Sequence, residues 1–320
     1  MFKSNSSAFS QISKAIEYWD EKYPKKHDGY VAPYRDKKTF DNLYSFYASL
    51  TQFVGAKKDS IGCDLGCWLG FPCLLEADSC GGQVIGIEIQ ETFTEQAREW
   101  LNIVGDKQVS FDYMHNNCVP LTTGSMDWVL VNQVLCNALQ DSFDKTIEEA
   151  VRILKPGGIL VIADSNNPYT PMVKERLYNT YRSVEIGNGT QESPNGSMFR
   201  VRVNLIKALD LELADQEINN LAKYTCYLWG TEIEKAALRY KVEKVMPTSR
   251  FIDEHEQPPI NPINGAALGN FTNPFYIAKL VEKHGLQTSV TTALTFEQSE
   301  SAQLKKSFAK NGSFFVISKK

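Results

Sequence analysis

The chain has 320 residues, of which 42% are hydrophobic and 22% charged, with a formal net charge of -4. That composition is globular, and the negative balance argues against general attraction to phosphate backbones or anionic lipid. No apolar run reaches the roughly 18 residues that span a bilayer, and "MFKSNSSAFSQISKAIEYWDEKY" is too polar for a secretory leader, so a cytoplasmic protein without nucleic-acid or membrane partners is expected.

Two helices are expected first, Ala8 to Tyr23 and Lys38 to Phe53, joined by a turn-rich connection, "PKKHDGYVAPYRD". From about 60 to 165 the pattern alternates. Short apolar runs read as strands: "SIGCDL", "QVIGIEI", "VSFDYM", "MDWVLVN" and "GILVIADS". Helix-period segments separate most of them, as in "TFTEQAREWLNIVG" and "FDKTIEEAVRILKPGG", with Gly105 and "KPGG" as helix stops. "VSFDYM" alternates and predicts one polar face, whereas "MDWVLVN" reads as a strand buried on both. Strand and helix in turn imply a mostly parallel sheet with helices on both sides.

Beyond about 167 the alternation stops. A Gly/Asn/Ser-rich loop, "GNGTQESPNGS", precedes a helical tract whose apolar stripe is Leu213, Ile218, Leu221, Tyr224, Leu228, Ile233, Ala237 and Tyr240, with Gly230 as a break. "QPPINPING" reads as an irregular linker, "NPFYIAKLVEKHGL" as a helix, and "TSVTTAL" and "GSFFVIS" as the last of seven strands. The expected organisation is an N-terminal helical lid (1–55), an α/β core (56–166), a mainly helical insertion (167–269) and the rest of the core (270–320).

Seven cysteines include four between Cys63 and Cys80. No C-x-x-C pair occurs, and Cys63 and Cys73 belong to a strand and a helix, so reduced thiols in a core are expected and no metal site.

The turn "DLGCWLG" follows the first strand of the alternating region. In open parallel sheets ligands bind beyond the carboxyl ends of the strands. Gly66 and Gly70 suit a backbone that a ligand approaches, Asp64 suits a ligand ammonium, and Glu88, closing the second strand, suits the cis-hydroxyls of a ribose. A dinucleotide turn needs G-x-G-x-x-G, and here Trp68 stands where its middle glycine belongs.

The segment resembles the first motif of class I S-adenosylmethionine-dependent methyltransferases, acid-x-Gly-x-Gly-x-Gly, here Asp64, Gly66, Trp68 and Gly70. Glu88 is similar to that family's ribose-binding acid, "MDWVLVNQVL" to its fourth strand, "EEAVRILKPGGILVIAD" to the helix and strand that follow, and "GSFFVIS" to its closing antiparallel strand. The resemblance covers roughly 55–165 and 270–320. It implies a doubly wound α/β fold, a mostly parallel seven-stranded sheet with an antiparallel last strand, plus the helical insertion. It also implies S-adenosyl-L-methionine as cofactor and S-adenosyl-L-homocysteine as product. By position the backbone of Gly66 and Cys67 lines the cofactor, Ile89 follows the ribose acid, Asn116 or Asn117 meets the adenine, and Asn132 faces the reacting end. The N-terminal segment is a lid in relatives, making Tyr30, Tyr34 and Arg35 candidates, with Arg35 for the cofactor carboxylate.

A sulfonium methyl needs alignment, and a base where the nucleophile carries a proton. His115 and Asp164 are the candidate bases, and Asp164 also suits a cap for the turn after its strand. His255 and His284 read as surface residues, and "SNNPYTP" as a turn. The insertion is expected to wall a substrate with Tyr224, Tyr227 and Trp229, or to use them in helix packing or a homodimer contact. The expected activity is methyl transfer to O, N or C of a small molecule. A macromolecule methyltransferase and a non-catalytic binding protein on the same fold are the alternatives.

Overall fold

The run "IGCDL" is short, β-rich and flanked by turns, and it forms β1 (Ile61–Leu65), an interior strand of the sheet. The computed structural model describes residues 6–24, 28–115, 118–138, 142–186, 198–247, 259–263, 265, 267, 269–292 and 311–320. Within them the sheet adds β2 (Gln83–Glu88), β3 (Val109–Tyr113), β4 (Met126–Asn132), β5 (Leu154–Asp164), β6 (Gln287–Thr291) and β7 (Phe314–Lys319). Their order is β3-β2-β1-β4-β5-β7-β6, with β1 to β5 parallel and β7 antiparallel to both β5 and β6. Order reverses at β1, so the ends of β1 and β4 open the crevice where such sheets bind ligands.

The chain divides into two units. Unit 1 comprises residues 1–134, 142–165 and 273–320. On one face of its sheet, α4 (Phe71–Cys80) and α5 (Glu91–Val104) pack on β2 and β3, and α1 (Ser6–Lys22) and α3 (Lys37–Phe53) lie on those helices. Trp128, Leu130, Val161 and Phe315 face that layer, while Val129 and Val131 alternate to the other side. There α6 (Phe143–Ile153) and α11 (Pro274–Glu282) cover β5 to β7. Trp100 of α5 is buried between Phe71 and Phe111, and its indole N–H donates to the Leu69 carbonyl at 2.8 Å. Burying such a ring contributes about 1.5–3 kcal/mol and ties α5 to the turn after β1.

Two sequence expectations change. The "PKKHDGYVAPYRD" connection contains a helix, α2 (Asp28–Arg35), with Pro33 inside it. Burial of Val31 and Tyr34 outweighs the local preference for a turn. "KPGG" lies in β5, because α6 ends at Ile153 and the strand begins at Leu154. Within the segment expected to be mainly helical, residues 171–186 and 198–207 are α7 (Pro171–Ile186) and α8 (Met198–Lys207).

Unit 2 comprises residues 135–141 and 166–272. Gly230, with φ of 50°, splits the helical tract into α9 (Asp215–Tyr224) and α10 (Thr231–Glu243). Ile206, Leu221, Ala222 and Ile233 form its core, and buried Arg202 donates to the Ala222 carbonyl at 2.8 Å. Of the expected aromatics, Tyr224 and Trp229 are exposed and Tyr227 is half-buried. "SNNPYTP" is a turn in which Asn167 Oδ1 accepts from the Tyr169 amide at 3.0 Å. "GNGTQESPNGS", part of "QPPINPING", the end of "TSVTTAL", Asn116, Asn117 and His255 lie outside the described residues. Among the described residues no helix is long and apolar enough to cross a membrane.

Candidate functional site

After β1 the chain turns through positive φ at Gly66 (90°), Trp68 (50°) and Gly70 (77°) before α4 begins. The glycines answer to packing within the protein. A Cβ on Gly66 would lie 2.3 Å from Val134 Cγ2, and one on Gly70 2.3 Å from Phe111 Cε1. Packing thus requires glycine at both positions, independently of the ligand approach expected from the sequence. The amides of Gly66 and Cys67 both donate to the Ile87 carbonyl, at 2.7 and 3.2 Å, so they are bonded within the sheet.

Trp68 is partly exposed and packs against two helices. Its indole is 38% exposed, with ring centroids 4.7 Å from Tyr30 on α2 and 5.9 Å from Phe93 on α5. Its amide donates to Glu88 Oε2 at 2.9 Å. The bulky residue therefore acts twice: its ring links two helices, and its backbone holds the acid that ends β2.

Glu88 is buried, and its Oε1 accepts from the amides of Ile89 and Gln90 at 2.9 and 3.2 Å. Burial raises its pKa above the usual carboxylate range, and the three amide bonds oppose that shift. A carboxylate has about four acceptor sites, so capacity remains for a hydroxyl. Next to it Ile89 is 62% exposed.

Asp64, on the neighbouring strand, is buried and accepts from the Cys73 thiol at 3.6 Å. Burial pushes its carboxyl up to about 7, the thiol opposes this, and the charge of Glu88 adds to it. Facing it from α4 is Glu76, fully buried, with neither carboxylate oxygen hydrogen-bonded. Desolvation and the proximity of Asp64 hold Glu76 well above the usual carboxylate range. Asp64, Cys73 and Glu76 each bring a donor atom within 4.8 Å of the others. Asn132, at the end of β4, donates from Nδ2 to the Tyr47 hydroxyl at 3.4 Å, while its Oδ1 is buried without a hydrogen bond. The Tyr30 hydroxyl is likewise buried and unbonded.

Asp64, Glu88, Cys67, Gly66, Gly70 and Ile89 thus stand at adjoining strand ends, with Tyr30 on the turn. Other candidates stand apart in character. His115 is exposed, its ring edge-on to Tyr113, and its backbone bridges to Cys118. His284 is exposed. Asp164 is buried and accepts from the Ser165 amide at 2.7 Å, the geometry of a turn cap. Arg35 pairs with Asp20 of α1. Glu76 and Tyr47 were not singled out in sequence. The signal for Glu76 was a lone acid in the otherwise apolar "FPCLLEA"; Tyr47 carried none beyond its helix.

Residues 63–162 match the family model of a methyltransferase domain. The chain is 30% identical over 128 residues to an uncharacterized 37.1 kDa protein in transposon TN4556 of Streptomyces fradiae, covering 39% of this chain and 36% of that protein. It is 28% identical over 111 residues to demethylmenaquinone methyltransferase of Lactococcus lactis, covering 35% of this chain and 43% of that protein. The chain therefore spans less than half the length of these relatives. Among solved structures, geranyl diphosphate methyltransferase in complex with SAM is 10% identical, with a TM-score of 0.47, over 95% of this chain and 94% of that one. By that match residues 63–162 form a methyltransferase domain, carried on the sheet in which Asp64 and Glu88 stand at or near the ends of neighbouring strands.

Proposed function

We propose that the chain transfers a methyl group from S-adenosylmethionine to a small molecule and releases S-adenosylhomocysteine. The observation that carries this reading is Glu88. Three backbone N–H groups fix its carboxylate at the end of β2, beside Asp64 at the end of β1. The residues present fit the cofactor. Glu88 keeps acceptor capacity for ribose hydroxyls, exposed Ile89 offers an apolar face for a base, and buried unbonded oxygens on Glu76 and Asn132 await donors.

When bound, the cofactor supplies an already activated methyl on a sulfonium. What remains for the chain is to bind, orient and exclude water. Glu88 would hold the ribose and Asp64 the α-ammonium of the amino-acid part, and Asn132 Oδ1 offers an acceptor at the end of β4. Asp164 serves as a turn cap in this reading, and alignment rather than a resident base accelerates transfer. The net charge of -4 supports a small acceptor over a nucleic acid, as does the Lactococcus relative, whose name gives demethylmenaquinone as what it methylates.

Calorimetric titration with S-adenosylhomocysteine tests the reading. Glu88→Ala is expected to weaken binding more than about tenfold, as loss of a charge-assisted pair of hydrogen bonds does. Equal affinity of the variant and the unmodified chain would refute the role of Glu88. A chain that binds the product yet methylates no small acceptor would favour a macromolecular acceptor or a non-catalytic role.

A further inference from the structure

Glu76 is out of place in its helix. Around it on α4 stand Phe71, Cys73, Leu74, Leu75 and Ala77, all buried, and it is as buried as they are. A carboxylate that deep is costly unless something compensates it. Spaced three apart, Cys73 and Glu76 share the helix face toward Asp64.

The groups acting on this site are Asp64 and Cys63 of β1, Cys67 of the turn, Cys73 and Cys80 of α4, Tyr34 of α2 and Tyr47 of α3. Glu88 of β2 acts on Asp64. All are acids or weak acids. Among the described residues no lysine or arginine acts on Asp64 or Glu76. Both Glu76 oxygens, with Asn132 Oδ1 close to the same cluster through Tyr47, are buried acceptors without donors. The site has a surplus of acceptors and lacks a cation.

We propose that Glu76 and Asp64 together seat the α-ammonium of the cofactor, and that seating it expels a proton from the pair. The proposal rests on the methyltransferase reading and adds to it a binding residue on α4. An ammonium carries three N–H donors, which the unbonded oxygens of Glu76 and the carboxylate of Asp64 can accept. Without a cation, two carboxylates this close in a dry site retain a proton between them. With one, both ionise: the carboxylic O–H bond breaks, its electron pair stays on the carboxylate, and the proton leaves to solvent. No other bond changes.

The test is calorimetry on the full chain with S-adenosylhomocysteine, in buffers of different ionisation heat. About one proton should be released per ligand, and affinity should rise at least about fivefold between pH 6 and pH 8. Glu76→Gln keeps the shape but cannot ionise. It should bind S-adenosylhomocysteine about tenfold more weakly at pH 8, with proton release at least halved. Methylthioadenosine, which lacks the amino-acid part, should bind both proteins alike and release no proton. A pH-independent affinity without proton release in the unmodified chain overturns the proposal, whether or not the variant folds. Wild-type affinity in Glu76→Gln overturns it too. If the unmodified chain binds both ligands equally, the nucleoside site stands and the ammonium seat falls. If it binds neither, the methyltransferase reading falls with it.

Discussion

Glu76 shows how a residue can stand out in a sequence and still pass unremarked. In sequence a single Glu in a helix suggests a solvated face, yet α4 is buried nearly all round and the acid lies on its inner side. Its folded pKa is raised above the unfolded value, so it favours the native state at low pH and loses that contribution as pH rises past the ordinary Glu range. Ligand-free Glu76→Gln should therefore gain stability over wild type as pH rises from 5 to 7, by up to about 1.4 kcal/mol per pH unit. Urea denaturation across that range measures it, and a gap that stays constant would contradict it. Asp64 and Glu88 were readable because each acid ends an apolar strand. The direction of Trp68 was not, because Tyr30 and Phe93, which hold its ring, are distant in sequence. Gly70 was singled out in sequence for the approach of a ligand, and the structure adds a packing neighbour, Phe111. Gly70→Ala adds left-handed strain and a clash with Phe111. It is expected to cost about 2–4 kcal/mol in the same measurement, and a loss below 1 kcal/mol would show that the turn relaxes.

Elements buried on both faces were the easiest to read. β4 is buried along almost its whole length, which its unbroken apolar run announces. α2 is the opposite case: Gly29 and Pro33 are strong turn signals, and only contacts beyond the segment make it a helix. Tyr30 supplies one of these contacts through Trp68, with Phe71 beyond it at 6.0 Å between ring centroids. Such aromatic pairs contribute about 0.5–1.5 kcal/mol beyond burial. Trp68→Ala should thus lower amide-exchange protection across α2 while leaving β1 and β2 protected. Unchanged protection in α2 would mean that Val31 and Tyr34 hold the helix alone.

Across unit 1, the strand order β3-β2-β1-β4-β5-β7-β6 brings together residues far apart in the chain: Glu88 and Asn132 end β2 and β4, and Asp64 is the penultimate residue of β1 between them. Periodicity alone predicts the strands but not their order, since many orders satisfy the same apolar pattern; resemblance to a known family supplied a mostly parallel sheet with an antiparallel last strand, and the order itself appears only in the structure. Tyr47 and Glu76 escaped notice for the same reason, as their proximity to Asp64 exists only after the helices have packed. The claim on which the functional reading depends is that Glu88 and Asp64 grip opposite ends of one adenosyl ligand. A crystal structure of the chain with S-adenosylhomocysteine tests it most directly. The ribose hydroxyls are expected within hydrogen-bond distance of the Glu88 carboxylate, and the ammonium beside Asp64 and Glu76. Clear density for the ligand elsewhere, or a Trp68 indole occupying the space between the two strand ends, would contradict it.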